Sequence, residues 1–238
     1  MRQYSLYPRG VSGSHLSGET RENDTEAGPI HIVNDSLPVT EANEIYRKLE
    51  ERAIEESNDL NHRVAHCRKC PRGEFLPTVG SGHPLADIFL LKYQPRYLEV
   101  TEGVAFYGRS GMAMLKSMER LGVNPLVVYG TNLVKCHDVD AAEGEKNCPV
   151  FWLEEFQITQ PRLIVVMGRQ TMDVVNRDRI AGMKKLVWDP GTLQEFTAFC
   201  KALVTPDIDG ALDEEHAKSE FWKAFRNLGE WFRDEPPY

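Results

Sequence analysis

Long apolar runs and a secretory signal are both missing from this sequence of 238 residues. No stretch of about 18 apolar residues exists that could cross a membrane, and the N-terminus lacks the apolar segment of a signal peptide. We therefore expect a cytoplasmic protein that does not span a membrane. Cysteine is also scarce and odd in number, with five in all, which in a reducing compartment favours metal binding over disulfide bonds.

The sequence also has no excess of basic residues. It contains 28 Lys and Arg and 36 Asp and Glu, which gives a net charge of -8. This balance argues against loose, charge-driven binding of nucleic acid over the whole surface, but it is compatible with a local basic groove. Hydrophobic residues make up 41% of the chain. That content is enough for one substantial core, which is compatible with a single large α/β domain with appendages. We expect the protein to be a monomer.

Residues 1–38 have few large apolar side chains and are rich in Gly, Ser, Asn and Asp. A segment of this composition cannot bury enough surface to fold alone, so we predict a disordered or extended N-terminal tail. The tail is a candidate binding segment for a protein partner. Residues 39–238 should form the folded domain.

A helix is predicted at the start of this domain. Thr40 is a suitable N-cap, and Ile45, Leu49 and Ala53 recur at helical spacing up to about Glu56. This helix would lead the chain to the first cysteines.

Four cysteines form the most specific pattern in the sequence. Cys67 and Cys70 form a Cys-x2-Cys motif, Cys136 follows a predicted strand, and Cys148 precedes a predicted helix. Thiolate sets of this kind hold either tetrahedral zinc or an iron-sulfur cluster, and the spacing alone does not choose between them. The alternative is that they are ordinary buried cysteines. The His, Arg, Lys and Pro residues around the Cys-x2-Cys motif argue against that alternative, whereas Cys200, in a strand-like run, is predicted to lie in the core.

Short aliphatic runs closed by turn residues alternate with helical patterns in the middle of the chain. Continuous apolar strands are typical of a parallel sheet covered on both faces, so we predict a three-layer α/β/α sandwich around a four-stranded parallel sheet. Ligands of such folds bind beyond the carboxyl ends of the strands. The predicted strands are 86–93, 126–132, 163–168 and 199–204, and the main predicted helices are 111–121, 149–158 and 219–232.

Several ordered motifs, read together, resemble a known family. They are the Cys-x2-Cys motif, a glycine-rich segment at 95–111, Thr-Asn-Leu-Val-Lys-Cys at 131–136, Cys148, and Gln-Pro-Arg-Leu-Ile-Val-Val-Met-Gly at 160–168. Over roughly residues 45–235 the chain resembles the iron-sulfur, family 4-like branch of the uracil-DNA glycosylase superfamily. The positions that keep the family register in the glycine-rich segment are Pro95, Glu99, Gly103, Phe106, Gly108, Arg109 and Gly111.

The resemblance implies cleavage of an N-glycosidic bond in DNA, with the base extruded into a pocket. It also implies that Cys67, Cys70, Cys136 and Cys148 ligate a [4Fe-4S] cluster, with zinc as the alternative. Phe106 matches the aromatic residue that stacks the base. Asn132 matches the amide that reads the pyrimidine edge and takes part in catalysis. Without the motif, Phe106 would be read as a core residue and Asn132 as a strand-end turn former.

The catalytic motifs are degenerate. The family's Gly-Glu-Ala-Pro-Gly appears here as Lys92-Tyr93-Gln94-Pro95-Arg96, and its His-Pro-Ser appears as Thr205-Pro206-Asp207. We therefore expect a rebuilt pocket that uses other catalytic groups. The catalytic candidates are Glu99, Asn132, Tyr93 and Asp207, with Asp138 as a further carboxylate, although an isolated carboxylate is more often a solvated surface group.

Contacts with DNA are predicted from basic residues and from the position that matches the family histidine. A charged, solvated loop is the alternative interpretation of the basic residues. In the family an apolar side chain after His-Pro-Ser enters the duplex, and Ile208 or Leu212 would serve here. The DNA-binding candidates are Arg109, Arg177, Lys184, Lys185 and Thr205.

Two functions of different class follow. The first is a DNA glycosylase that releases an atypical or modified pyrimidine, such as a hypermodified phage base, in repair or anti-phage defence. The second is a non-catalytic iron-sulfur module that binds DNA or protein. Retention of Phe106 and Asn132 favours the enzyme, and a zinc-stabilised structural protein is a third hypothesis.

Overall fold

The computed structural model describes residues 41–234, which form an α/β domain around a six-stranded mixed sheet. The strand order is β1-β3-β2-β4-β6-β5, and the four central strands run parallel. The predicted four-stranded parallel sheet is therefore confirmed. Two short antiparallel edge strands, β1 and β5, extend it and were not predicted. The strands are β1 Ser81–Gly82, β2 Ile88–Lys92, β3 Val128–Asn132, β4 Leu163–Met167, β5 Leu193–Glu195 and β6 Lys201–Thr205.

Helices connect the strands and cover both faces of the sheet. The helices are α1 Glu41–Ala65, α2 Tyr97–Glu102, α3 Arg109–Leu121, α4 Ala141–Asn147, α5 Pro149–Thr159, α6 Arg169–Arg177, α7 Ile208–Asp213, α8 Glu215–Phe225 and α9 Asn227–Asp234, with a short 3-10 turn at Pro125–Val127. The single helix predicted near the C-terminus is two helices, α8 and α9, because the helix is interrupted at Arg226.

The side chains of each central strand alternate between two apolar layers, as the pleat of a strand requires. Phe89 and Leu91 of β2 face α5 and α6, where Trp152 and Val175 are fully buried. Ile88 and Leu90 face the opposite layer, built from α3, α7, α8 and α9. The three-layer sandwich is thus confirmed. Cys200 is buried in the first layer, as predicted.

Helix α1 differs from its prediction in length and in how much of its apolar stripe is buried, although Ala53 of that stripe is buried as expected. It continues to Ala65, well beyond Glu56, and Leu60 and Val64 near its end pack against α5. Ile45 and Leu49 are more than half exposed, so the N-terminal part of the predicted apolar stripe does not contact the core. The helix is anchored by its C-terminal half, which places Cys67 against the domain.

The predicted tail of residues 1–38 and the N-cap Thr40 lie outside the described residues. Among the helices of residues 41–234, none combines the length and the apolar character needed to cross a membrane.

Candidate functional site

Four side chains form a row across the carboxyl ends of the parallel strands. Lys92 of β2 is in register with Asn132 of β3 and with Met167 of β4, and Met167 is in register with Thr205 of β6. Directly opposed residues of a sheet project from the same face, so these four share one side. All four are fully buried. We call this set, Asn132, Lys92, Met167 and Thr205, the carboxyl-edge row.

Phe106 lies against the same face, beside the row. A Cβ atom placed on Gly130 of β3 would lie 2.7 Å from Cδ2 of Phe106, so the ring rests on bare backbone. Phe106 has a left-handed φ of 58°, which is unfavourable for an aromatic residue. Its carbonyl oxygen would be 1.7 Å from a Cβ on Gly111, so only glycine permits this path. Close contact with the backbone of Gly130 and of Gly111 therefore fixes the position of this half-buried residue.

Glu99 organises the loop that carries Phe106. One carboxylate oxygen accepts from the backbone N–H of Phe106, and the other accepts from the N–H of Arg96, at 2.7 Å, and from Nζ of Lys92. Glu99 is fully buried. Because both oxygens are engaged by donors that hold the loop, the geometry favours an electrostatic and positioning role for Glu99 over that of a base that activates water.

The amide of Asn132 has one fixed and one available end. Its Nδ2 donates to Oγ1 of Thr78 at 3.0 Å, and Thr78 in turn donates its hydroxyl proton to the carbonyl oxygen of Lys135 at 3.1 Å. Since that proton is committed, Thr78 can only accept from Asn132, which fixes the orientation of the amide. Oδ1 of Asn132 is buried and has no hydrogen-bond partner within residues 41–234. Such an acceptor is costly unless a ligand donates to it.

Tyr93 and Arg177 belong to a separate polar cluster around Glu145 of α4. The hydroxyl of Tyr93 and a guanidinium nitrogen of Arg177 each donate to Glu145, both at 2.9 Å. Burial, and then the hydrogen bond to Glu145, raises the pKa of Tyr93 well above its usual value. Burial also opposes ionisation of Glu145, but the hydrogen bonds from Arg177, Gln170 and Tyr93 outweigh it and lower the pKa of Glu145. The free protein uses Arg177 in this cluster.

The segment after β6 forms α7, which is linked to the start of α3. Asp207 is the N-cap of α7 and accepts from the N–H of Gly210, while Ile208 is buried. Arg109 donates to Asp213 at 2.9 Å and to the carbonyl oxygen of Leu212 at 2.6 Å. In the free protein, therefore, Ile208 is a core residue, and Arg109 connects α3 to α7.

The remaining candidates for DNA contact occupy different places. Thr205 is fully buried and donates its hydroxyl to the carbonyl oxygen of Pro206, so it is not presented at the surface. Lys184 and Lys185 are exposed, and the backbone N–H of Lys184 bonds to Phe196, beside the amino end of β6. The structure thus does not bring these two lysines to the carboxyl-edge row. Asp138 is exposed and lies next to Gly73, near the cysteines.

The four predicted cysteine ligands follow α1, follow β3 or stand between α4 and α5, and the thiols of Cys67, Cys70 and Cys148 are near enough to Cys136 to affect it electrostatically. Cys148 ends α4 and begins α5. The side chain of Cys70 contacts the same corner, because Nδ2 of Asn147 donates to its sulfur at 3.3 Å and its thiol lies 3.7 Å from the carbonyl oxygen of Glu143. Burial, and then the neighbouring Cys148, raises the pKa of Cys136 to about 12, with Cys67 and Cys70 acting in the same direction and Arg72 against it.

Cys148 is under a similar influence. Burial raises its pKa, while a backbone hydrogen bond and the ammonium of Lys135 oppose the rise. Lys135 is itself buried and pairs with Glu155 at 2.7 Å. Within residues 41–234, no group of three or more His, Cys, Asp or Glu side chains is arranged closely enough to hold a metal ion. The chemistry of the thiols suits a metal group, because Nδ2 of Asn147 donates to the sulfur of Cys70 and the backbone N–H of Lys135 donates to that of Cys148, as outer-shell donors of thiolate sites do.

Sequence reasoning missed three residues that the structure places at the site: Lys92, Thr78 and Asp209. In the sequence, Lys92 stands where the family motif has a glycine, and no motif marks it as a functional group. Its signal is a lysine at the end of a continuous apolar strand, a position that is buried in a parallel sheet. Nζ of Lys92 lies 2.7 Å from Oδ2 of Asp209, although the two residues are 117 positions apart in the sequence. No local sequence pattern predicts that contact.

Comparison with known proteins identifies the family. Residues 79–228 match the model of the uracil DNA glycosylase superfamily. A type-4 uracil-DNA glycosylase of Pyrobaculum aerophilum is 26% identical over 115 residues, or 46% of this chain and 59% of that protein. A type-4 uracil-DNA glycosylase of Archaeoglobus fulgidus is 27% identical over 125 residues, or 49% of this chain and 61% of that protein. The chain spans about three fifths of the length of these curated relatives. Since the family model matches more than half of the sequence, the chain belongs to the uracil-DNA glycosylase superfamily.

Proposed function

We propose that the protein is a DNA glycosylase that cleaves the N-glycosidic bond of an atypical or modified pyrimidine base, in repair or anti-phage defence. The observation that carries the proposal is the amide of Asn132. Its Oδ1 is a buried acceptor with no partner within the described residues, beside a half-buried aromatic ring. A base stacked on Phe106 would supply the missing donor from its hydrogen-bonding edge.

The altered motifs support an atypical base over ordinary uracil. Tyr93 stands where the family has a glutamate, and it is engaged by Glu145. Thr205 stands where the family has a histidine, and its hydroxyl is engaged by Pro206. Losing one strong charge-stabilising donor costs about a hundredfold or more in rate. We expect uracil to be released at least about a hundredfold more slowly than the preferred base.

We further propose that Cys67, Cys70, Cys136 and Cys148 hold a [4Fe-4S] cluster. The support is the motif order, the shared electrostatic neighbourhood of the thiols and the N–H donors directed at them. When bound, the cluster would tie the end of α1 to the α4–α5 corner. Zinc is the alternative, and metal analysis of anaerobically prepared protein distinguishes the two.

The test of the proposed activity is incubation with DNA that carries uracil, mismatched thymine or 5-substituted pyrimidines. Release of a free base with an equal number of abasic sites is expected for at least one 5-substituted pyrimidine. Phe106→Ala should lower that release about tenfold to a hundredfold, because stacking of one base contributes about 1–3 kcal/mol. Release of uracil at rates as high as those of every other base would refute the altered preference.

A non-catalytic binding module is the second candidate, and one observation favours it. Lys92, a member of the row, pairs with both Glu99 and Asp209, so the free protein satisfies these charges without a substrate. This candidate predicts tight DNA binding with no base released. If Phe106→Ala and Asn132→Ala then left binding unchanged, the pocket interpretation would be wrong.

A further inference from the structure

We propose that Lys92 is a further catalytic residue, whose ammonium group contacts the extruded base and stabilises the negative charge that develops on it as the glycosidic bond breaks. This inference rests on the proposed glycosylase function and extends it to a residue that neither the motifs nor the relatives assign. The ammonium group of Lys92 would replace the charge-stabilising histidine of the family motif, whose position Thr205 occupies here.

The position of Lys92 supports a role toward the base. It is in register with Asn132, on the same side of the sheet, so the two side chains approach a common ligand from adjacent strands. Its Nζ lies 5.6 Å from the centre of the Phe106 ring. A base stacked on that ring and bonded to Asn132 would therefore lie within reach of the ammonium.

The ammonium also has capacity for another acceptor. It carries three N–H donors, and among the described residues the structure gives Nζ two hydrogen-bond acceptors, Glu99 and Asp209. Glu99 is held by two backbone N–H groups, so it stays in place. Asp209 is 11% exposed and also faces Arg96 at 3.5 Å, so it can give way to an incoming base without losing every cationic partner.

The burial of Lys92 increases its effect. A fully buried cation acts on nearby charge with less screening than one in water, and it needs no reorganisation when the charge appears. Glu99 fixes the cation on one side and, through the Phe106 N–H, fixes the ring on the other. One carboxylate thus positions both groups that would contact the base.

The reaction consumes one water molecule. The bond between C1′ of the sugar and N1 of the base breaks, and its electron pair leaves with the base, where it spreads onto a ring carbonyl oxygen. The oxygen of water bonds to C1′, and the proton lost from that water neutralises the released base. Lys92 stabilises the anionic oxygen through a charge-assisted hydrogen bond and keeps its own protons throughout.

The experiment compares two bases with the same hydrogen-bonding edge, 5-hydroxymethyluracil and 5-formyluracil, in one DNA sequence. The formyl group withdraws electrons and makes its base the better leaving group. Lys92→Met keeps the length of the side chain and removes the charge. We expect single-turnover release of 5-hydroxymethyluracil to fall about a hundredfold to a thousandfold, with a clearly smaller fall for 5-formyluracil.

Two matched variants separate catalysis from structure. Lys135→Met removes an equally buried lysine and its ion pair outside the row, so it should change both rates by the same factor. Asp209→Asn keeps Lys92 and its pairing with Glu99, so the ratio of the two rates should stay at the wild-type value. A mere bridge between β2 and α7 would instead make Asp209→Asn behave like Lys92→Met.

The outcomes also distinguish this inference from the function on which it rests. If wild type releases both bases and Lys92→Met slows them equally, Lys92 is a structural residue and the glycosylase proposal stands. If wild type releases neither base nor any other pyrimidine, the glycosylase proposal fails and the role of Lys92 fails with it. A selective loss on the poorer leaving group supports both.

Discussion

Replacing Thr78 by valine tests whether the orientation of a single amide determines base recognition. Thr78 is fully buried, and its hydroxyl accepts from Asn132 while donating to Lys135. Valine has nearly the same shape but no hydroxyl, so Nδ2 of Asn132 would lose the one acceptor that residues 41–234 give it, and the amide would be free to turn over. Leaving a buried polar group unpaired costs about 1–3 kcal/mol. If that cost falls on the transition state, base release should slow by about fivefold to 150-fold.

Thr131→Val is the matched control. Thr131 is equally buried and lies next to Asn132 on β3, but its hydroxyl bonds to Glu155 and Lys135 on the opposite side of the sheet. Both variants should lower the midpoint of urea unfolding, whereas only Thr78→Val should change the selectivity between uracil and cytosine derivatives. The assay is single-turnover release from paired oligonucleotides at saturating enzyme. If the two variants alter rate and selectivity alike, the amide of Asn132 is not oriented by Thr78 for recognition.

Three further perturbations follow from contacts at the site and around it. Gly130→Ala would place a methyl group 2.7 Å from the Phe106 ring. We expect the free-energy barrier to base release to rise by more than the unfolding free energy falls, and the packing cost itself is about 1–3 kcal/mol. Kinetics and thermal unfolding measure the two changes. An unchanged rate of base release would show that the ring does not bind the base there. The proposed cluster should make the purified protein brown, and Cys136→Ser should remove that colour and lower the melting temperature, because a cluster would link distant segments. Full colour in the variant would remove Cys136 from the ligand set. Glu145→Gln tests the lowered pKa of Glu145: a lowered folded pKa gives stability above the unfolded pKa of about 4.3 that is lost as pH falls through the folded value. The difference in unfolding free energy from wild type should therefore be present at pH 7 and vanish in strong acid, and a difference that grows with acid would contradict the argument.

The sequence predicts the central sheet well because its signal is local. Each parallel strand lies in or beside a short apolar run that turn residues close, and the predicted bounds of all four agree with the structure to within a few residues. The edge strands β1 and β5 have two and three residues, too few for any periodicity to register. The exposed Ile45 and Leu49 show a second limit of prediction from sequence. Apolar residues at helical spacing indicate that one face of a helix is apolar, but they do not show whether another element covers that face.

The candidate site was predictable only where a motif marks it. Phe106 and Asn132 occupy positions that match the family motifs, and in the structure the Phe106 ring packs against Gly130 of β3, the strand that ends in Asn132. The contacts of Lys92 with Asp209 and of Asn132 with Thr78 join segments that only the folded sheet brings together. A long-range pair between single polar side chains leaves no pattern in one sequence, so these partners could not be named before the structure.

The carboxyl-edge row also has a consequence for how the protein folds. Its members come from β2, β3, β4 and β6, whose parallel pairing requires a crossover connection for each new strand. Contacts of such long sequence separation form slowly, because the entropy of closing the intervening loops must be overcome first. The row is therefore incomplete until β6, the last strand within residues 41–234, has joined the sheet. In refolding, recovery of base release should lag behind the burial of Trp152 in the layer of α5 and α6, and a nascent chain that ends before β6 would lack one side of the row even if its first strands had already paired.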